Sequence, residues 1–157
     1  MKKDKTNAMR ALDKAGIAYE TYYYDLGKEP FSGEAVSELL GLSESECFKT
    51  LACRHERELF LLVIPVDRNL DLKKASAFLR VKNLEMVKVR ELKQTVGYER
   101  GSVSPLGVTV RHRTAFDVSA LNFEHIEISG GKLGIGLKVG GKELIEFLDA
   151  EVGDLCQ

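Results

Sequence analysis

Apolar positions recur along this chain with two different periods. Residues 5–15 carry Ala8, Met9, Leu12 and Ala15 on one helical stripe, and Gly16 is placed to stop it. "IAYETYYY" (17–24) then changes to aromatic and β-branched residues and reads as a strand. A second helical stripe (Ala35, Val36, Leu39, Leu40) fills 32–41 and closes on glycine. "SESE" at 43–46 has the Ser-x-x-Glu form of a capping box and predicts one helical turn. Two apolar strands follow near 47–54 and 58–64, joined by the charged "RHERE". Asp71 is placed to cap a helix carrying Leu72, Ala75, Phe78 and Leu79. Next come a short strand around Leu84–Met86 and a helix around 88–95. The second half is β-rich ("VTVRHRTAFD", "HIEIS", "IGLKVG"), and "KELIEFLDA" (142–150) is an amphipathic closing helix. Helices and strands mix without regular βα alternation. The expectation is one α+β domain over 1–157, a mixed, largely antiparallel β-sheet or barrel flanked by helices.

Composition changes this picture little. The chain has 157 residues, enough for a real core, and no apolar run approaches the roughly 20 residues of a membrane span. The basic opening "MKKDKTNAMRALDKAG" lacks an apolar segment behind it, so no secretory signal is expected. Three cysteines, an odd number in a chain that needs no staples, read as reduced thiols in a cytoplasmic protein. Charge is more informative, because the net −1 hides an asymmetry. Glu20 to Glu46 holds seven acidic residues against one lysine, whereas Lys73 to Arg113 holds ten Lys/Arg against three Glu. A basic middle is compatible with a polyanionic partner, but from charge alone solvated, lysine-rich helix faces are the more ordinary reading.

The residue that raises a question is Lys49, a lysine inside an apolar strand. It either snorkels to water or sits as a cation over a site for an anionic substrate. Conventional catalysts are missing from the sequence: there is no G-x-S-x-G, and His55, His112 and His125 are scattered without metal-ligand spacing. Cys47 and Cys53 flank Lys49, and small buried thiols are the more ordinary reading of both. Two glycine-containing loops, "GYERGSVSPLG" (97–107) and "SGGKLG" (129–134), could cradle a ligand or simply turn the chain.

Taken together, "FKT" (48–50), "SPLG" (104–107) and "SGGK" (129–132), in that order and at those separations, resemble the YbaK/EbsC family, free-standing relatives of the prolyl-tRNA synthetase editing domain. The likeness runs over nearly the whole chain, taking in Leu12, Lys14, Ile17, Tyr19 and Tyr24, "LDLKK" (70–74), "TVGY" (95–98) and "EFLDA". It implies a deacylase that clears a wrong amino acid from tRNA in trans. In the YbaK branch the substrate is Cys-tRNA(Pro), with Cys-tRNA(Cys) as a further one. The resemblance makes Lys49 the functional lysine, facing the 3′-terminal adenosine and its phosphate. It places Tyr24, Phe31, Thr50, Gly101, Ser102, Ser129 and Gly130 around the aminoacyl end. Two departures stand out: Gly101-Ser102 where the family often has Gly-Gly, and Gly136 where it has a pocket aspartate. Strand alternation would send Lys49 and Thr50 to opposite faces, so sharing a site needs a twist, a bulge or Thr50 backbone contacts.

The implied chemistry is attack by the substrate's own thiol on its ester, which needs orientation and oxyanion stabilisation and no metal or other cofactor. The implied partners are the acceptor end of an aminoacyl-tRNA and prolyl-tRNA synthetase, with no membrane. Two other readings stay open: hydrolysis of another misacylated tRNA such as Ala-tRNA(Pro), and a non-catalytic module that binds tRNA or a synthetase.

Overall fold

The computed structural model describes residues 5–25 and 33–157. Helix α1 (Asn7–Ala15) starts where Thr6 Oγ1 accepts the Met9 amide at 3.2 Å and stops at Gly16 in the left-handed conformation, φ 73°. After β1 (Tyr19–Tyr23) and α2 (Gly33–Leu40), a single 3₁₀ turn (Glu44–Glu46) forms the expected capping box on Ser43. β2 (Phe48–His55) and β3 (Glu58–Pro65) make an antiparallel hairpin whose register runs unbroken from Phe48↔Pro65 to His55↔Glu58. Asp71 Oδ1 accepts the Lys74 amide at 2.9 Å and caps α3 (Leu72–Leu79). β4 (Glu85–Met86), α4 (Leu92–Val96), β5 (Arg113–Asp117), β6 (His125–Ser129), β7 (Ile135–Gly140), α5 (Gly141–Phe147) and β8 (Glu151–Gly153) complete the order.

The strands form two sheets. One is antiparallel, in the order β1-β7-β6; the other has the order β4-β2-β3-β5-β8, antiparallel among its first three strands and parallel from β3 to β5 and from β5 to β8. A parallel bridge between Cys47 and Glu127 joins them, so the start of β2 lies beside β6. The α+β expectation therefore holds, with the mixed character confined to the larger sheet.

Alternation along the strands sorts residues into layers. Phe48, Val63, Phe116, Ile126, Ile128, Leu137 and Val139 point between the sheets, where α1 adds Ala8, Met9 and Leu12. On the opposite face of the larger sheet Cys53, Phe60, Leu62 and Ile64 pack under α3 through Ala75 and Leu79. Each large aliphatic or aromatic side chain so buried contributes about 1.5–3 kcal/mol. No helix among the described residues is long and apolar enough to cross a membrane.

Two expectations on the strands change. The strand expected over 108–117 begins only at Arg113, because residues 108–112 find no strand partner and Val110 stays exposed. β8 was not anticipated: its polar "EVG" becomes a strand because β5 offers a parallel edge. Gly153 there lets the Phe78 ring of α3 close in, since a Cβ would fall 2.4 Å from Phe78 Cε1.

Candidate active site

The site grows from the Cys47–Glu127 bridge. Because the bridge is parallel, Lys49 and Ser129 follow one repeat further along their two strands. The side chains of Cys47, Lys49, Glu127 and Ser129 share the face turned away from Phe48, Ile126 and Ile128. Lys49 is half-buried there and, among the described residues, makes neither hydrogen bond nor ion pair. Just beyond, the edge of β2 loses its partner strand: β6 leaves after Cys47, and β4 joins only at Cys53 and Arg54.

The two glycine-containing loops meet at the end of β6. Ser129 Oγ donates to the Ser102 carbonyl at 2.9 Å and accepts the Gly131 amide at 3.0 Å, so one hydroxyl ties "SVSPLG" to "SGGK". Gly130 donates its amide to the Ile135 carbonyl at 2.8 Å; a Cβ there would sit 2.6 Å from Ile135 Cγ2. Tyr98 lies against Gly131, and its hydroxyl donates to the Leu106 carbonyl. Gly101 is exposed at the tip of the other loop with φ 86°, a left-handed turn that a side chain would strain. The Ser102 amide and hydroxyl both donate to the Glu99 carbonyl, at 3.0 and 2.9 Å.

Tyr24 extends β1 into this cluster, its amide donating to the Gly134 carbonyl at 2.9 Å. Burial pushes its phenol up to about 12, and the Glu127 carboxylate and Cys47 thiol add to the rise. Thr50 goes elsewhere. β2 has no bulge in its pairing with β3, so the Thr50 side chain points to the face opposite Lys49. It is 7% exposed, and its Oγ1 has no hydrogen-bond partner among the described residues. Of the expected residues, Ser129 is hydrogen-bonded to Ser102 and adjoins Gly130, and Tyr24 is tied to the same loop through Gly134. Lys49 lies one strand repeat past the Cys47–Glu127 bridge, Gly101 is exposed in its loop, and the Thr50 side chain turns away. Phe31 lies outside the described residues.

Sequence reasoning missed Glu127. Between Ile126 and Ile128 in an alternating strand, a glutamate reads as a solvent-facing residue, yet it is only 6% exposed. Burial pushes its carboxyl up to about 7, against the pull of the Cys47 thiol toward the ionised form. Burial also pushes the Cys47 thiol up to about 12, with Glu127 adding to the rise. The signal available in sequence was Gly136. A Cβ at Gly136 would lie 2.7 Å from Glu127 Oε2, so the carboxylate occupies space that a side chain on β7 would otherwise take. Among the described residues no group of three or more His, Cys, Asp or Glu could hold a metal ion.

The chain's fold has counterparts among solved structures. Its fold superposes with a TM-score of 0.86 on the crystal structure of a candidate trans-editing enzyme for prolyl-tRNA synthetase, at 20% identity over 96% of this chain and 95% of that one. Residues 31–147 match the aminoacyl-tRNA editing domain, and the chain belongs to that family. It is 30% identical, over 96% of its length and 93% of the relative's, to an Enterococcus faecalis protein, EbsC, named as a candidate Cys-tRNA(Pro)/Cys-tRNA(Cys) deacylase. It is also 30% identical, over 83% of its length, to 23% of a proline–tRNA ligase from Leptospira interrogans.

Proposed function

We propose that this protein is a cytoplasmic trans-editing deacylase that clears Cys-tRNA(Pro), binding the acceptor end of the aminoacyl-tRNA and cooperating with prolyl-tRNA synthetase. The observation that carries the reading is Lys49: a half-buried cation with no described partner, level with Ser129 and beside an unpaired strand edge. A cation so held is suited to the terminal phosphate or ribose of a tRNA.

The ester is already activated, so the reaction turns on placing the nucleophile. The cysteinyl thiol attacks its own carbonyl; the S–C bond forms, the C–O bond to the ribose breaks, and the thiol proton ends on the released ribose oxygen. The products are a thiolactone and free tRNA. Backbone N–H groups near Gly101 and the open edge of β2 are the donors available to the developing oxyanion. The protein's own thiols take no part, because all three are buried and protonated at neutral pH.

The test is loss of the aminoacyl group from Cys-tRNA(Pro) and Ala-tRNA(Pro), with Lys49→Ala alongside. The expected result is turnover of Cys-tRNA(Pro) alone, reduced at least about 100-fold in the variant, the order of a lost charge-assisted contact to a phosphate. Turnover of Ala-tRNA(Pro) would make water the nucleophile. Binding of tRNA without turnover of either would leave only a binding module.

A further inference from the structure

Glu127 is only 6% exposed, and no N–H or O–H group among the described residues donates to its carboxylate. The protonated Cys47 thiol lies against it, and Lys138 stands opposite it in the β6–β7 ladder without an ion pair to it. Burying a carboxylate without a donor or cation is costly, and such a group calls for a positive partner from outside the chain. On the side away from Ser129, Glu127 borders a cavity of about 290 Å³ whose lining also includes Glu46, Glu124, His125, Tyr22 and Lys138. Three carboxylates against one lysine make that wall acidic, and Lys138 is drawn toward Glu20 at 3.8 Å.

Building on the deacylase reading, we infer that Glu127 receives the α-ammonium group of the aminoacyl ester and so restricts the site to substrates with a free amino group. Placement supports this assignment. Glu127 lies one repeat before Ser129 on the same strand face, beside Tyr24, and level with Cys47 where Lys49 lies one repeat on. A substrate spanning from the Lys49 side to Glu127 would have its phosphate end at the cation and its ammonium end at the anion. The absence of a side chain at Gly136 is what lets the carboxylate stand there. Acylation of the amino group removes the positive charge and adds bulk, so an N-blocked or peptidyl ester is disfavoured. In this role Glu127 is a specificity-determining and positioning residue.

The experiment compares Cys-tRNA(Pro) with N-acetyl-Cys-tRNA(Pro) for the wild type, Glu127→Gln and Glu127→Asp. Binding of the stable amide analogues 3′-cysteinylamino-3′-deoxyadenosine and its N-acetyl form is measured in parallel. The wild type should prefer the free amine by about 10- to 100-fold, the range of a hydrogen-bonded charge pair. Glu127→Gln should lose most of that preference while handling the acetylated forms as the wild type does. Glu127→Asp should keep part of it. Equal losses on both substrates would overturn the proposal and make Glu127 structural, as would a preference unchanged by Glu127→Gln. If the wild type turns over neither ester, the deacylase reading fails, and the two amide analogues still decide the ammonium assignment by binding alone.

Discussion

Lys49 and Thr50 are neighbours in sequence with opposite fates, and strand alternation alone separates them. The lysine was legible because a charge inside an apolar strand is conspicuous, and Ser129 entered through the resemblance carried by its glycine-rich loop. Glu127 was not, because an outward strand position carries no mark of what will cover it. Its burial has a measurable consequence. The folded chain holds its carboxyl at about 7 against the ordinary 4.5. Below 4.5 it is protonated in both folded and unfolded chains and has no effect. As pH rises from 4.5 to 7 only the unfolded chain ionises, so stability falls, and above 7 the deficit stays constant. Linkage puts that deficit at roughly 3 kcal/mol. Glu127→Gln should therefore melt well above the wild type at pH 8 and close to it at pH 4.5, as thermal denaturation followed by circular dichroism would register. A variant that gains equally at both pH values would contradict a buried, titrating carboxylate.

Among elements, those with caps written into the sequence were legible: Thr6 and Gly16 for α1, the box on Ser43, Asp71 for α3. Elements made by their partners were not. β8 exists because β5 is there to receive it, and residues 108–112 lack such a neighbour. Asp117 at the end of β5 holds this corner together. Its carboxylate accepts the Ser119 hydroxyl at 2.6 Å, the Ser119 amide at 3.2 Å and, across to the C-terminal segment, the Leu155 amide at 3.0 Å. Burial acts to raise its pKa, and these hydrogen bonds together outweigh it and hold the carboxyl below the usual value. With the folded pKa depressed, the stabilisation is present above 3.8 and disappears as pH falls through the folded value. Asp117→Asn should cost about 2–3 kcal/mol at pH 7 in urea unfolding, with the gap to the wild type narrowing under acid conditions.

Over the whole molecule, the basic stretch read from sequence stays available. Lys73, Arg80, Lys82, Lys88, Arg90, Arg100 and Arg111 are exposed and enter no ion pair with the described residues, while Lys74, Lys93 and Arg113 are engaged by Asp154, Glu99 and Glu151. Sequence could count these charges but not say which were already answered. A tRNA partner drawn by the free ones gives binding that weakens steeply with salt. The double variant Lys82→Glu/Lys88→Glu should weaken tRNA binding by about tenfold or more and flatten the log–log salt dependence by about 1 to 2. An unchanged slope in filter binding would assign the tRNA to another face.

The buried cysteines set a chemical condition on the same surface. A cysteinyl ester and a thiolactone are both acyl donors, and any thiolate within reach would carry off the acyl group as a thioester. Cys47 stands within the site cluster, yet it has no solvent exposure and burial keeps its thiol protonated to about 12. Cys53 and Cys156 are walled off in the same way. On the proposed reaction, the protein handles a cysteinyl ester and a thiolactone while offering none of its own sulfur as a rival acceptor, and it leaves each turnover unacylated.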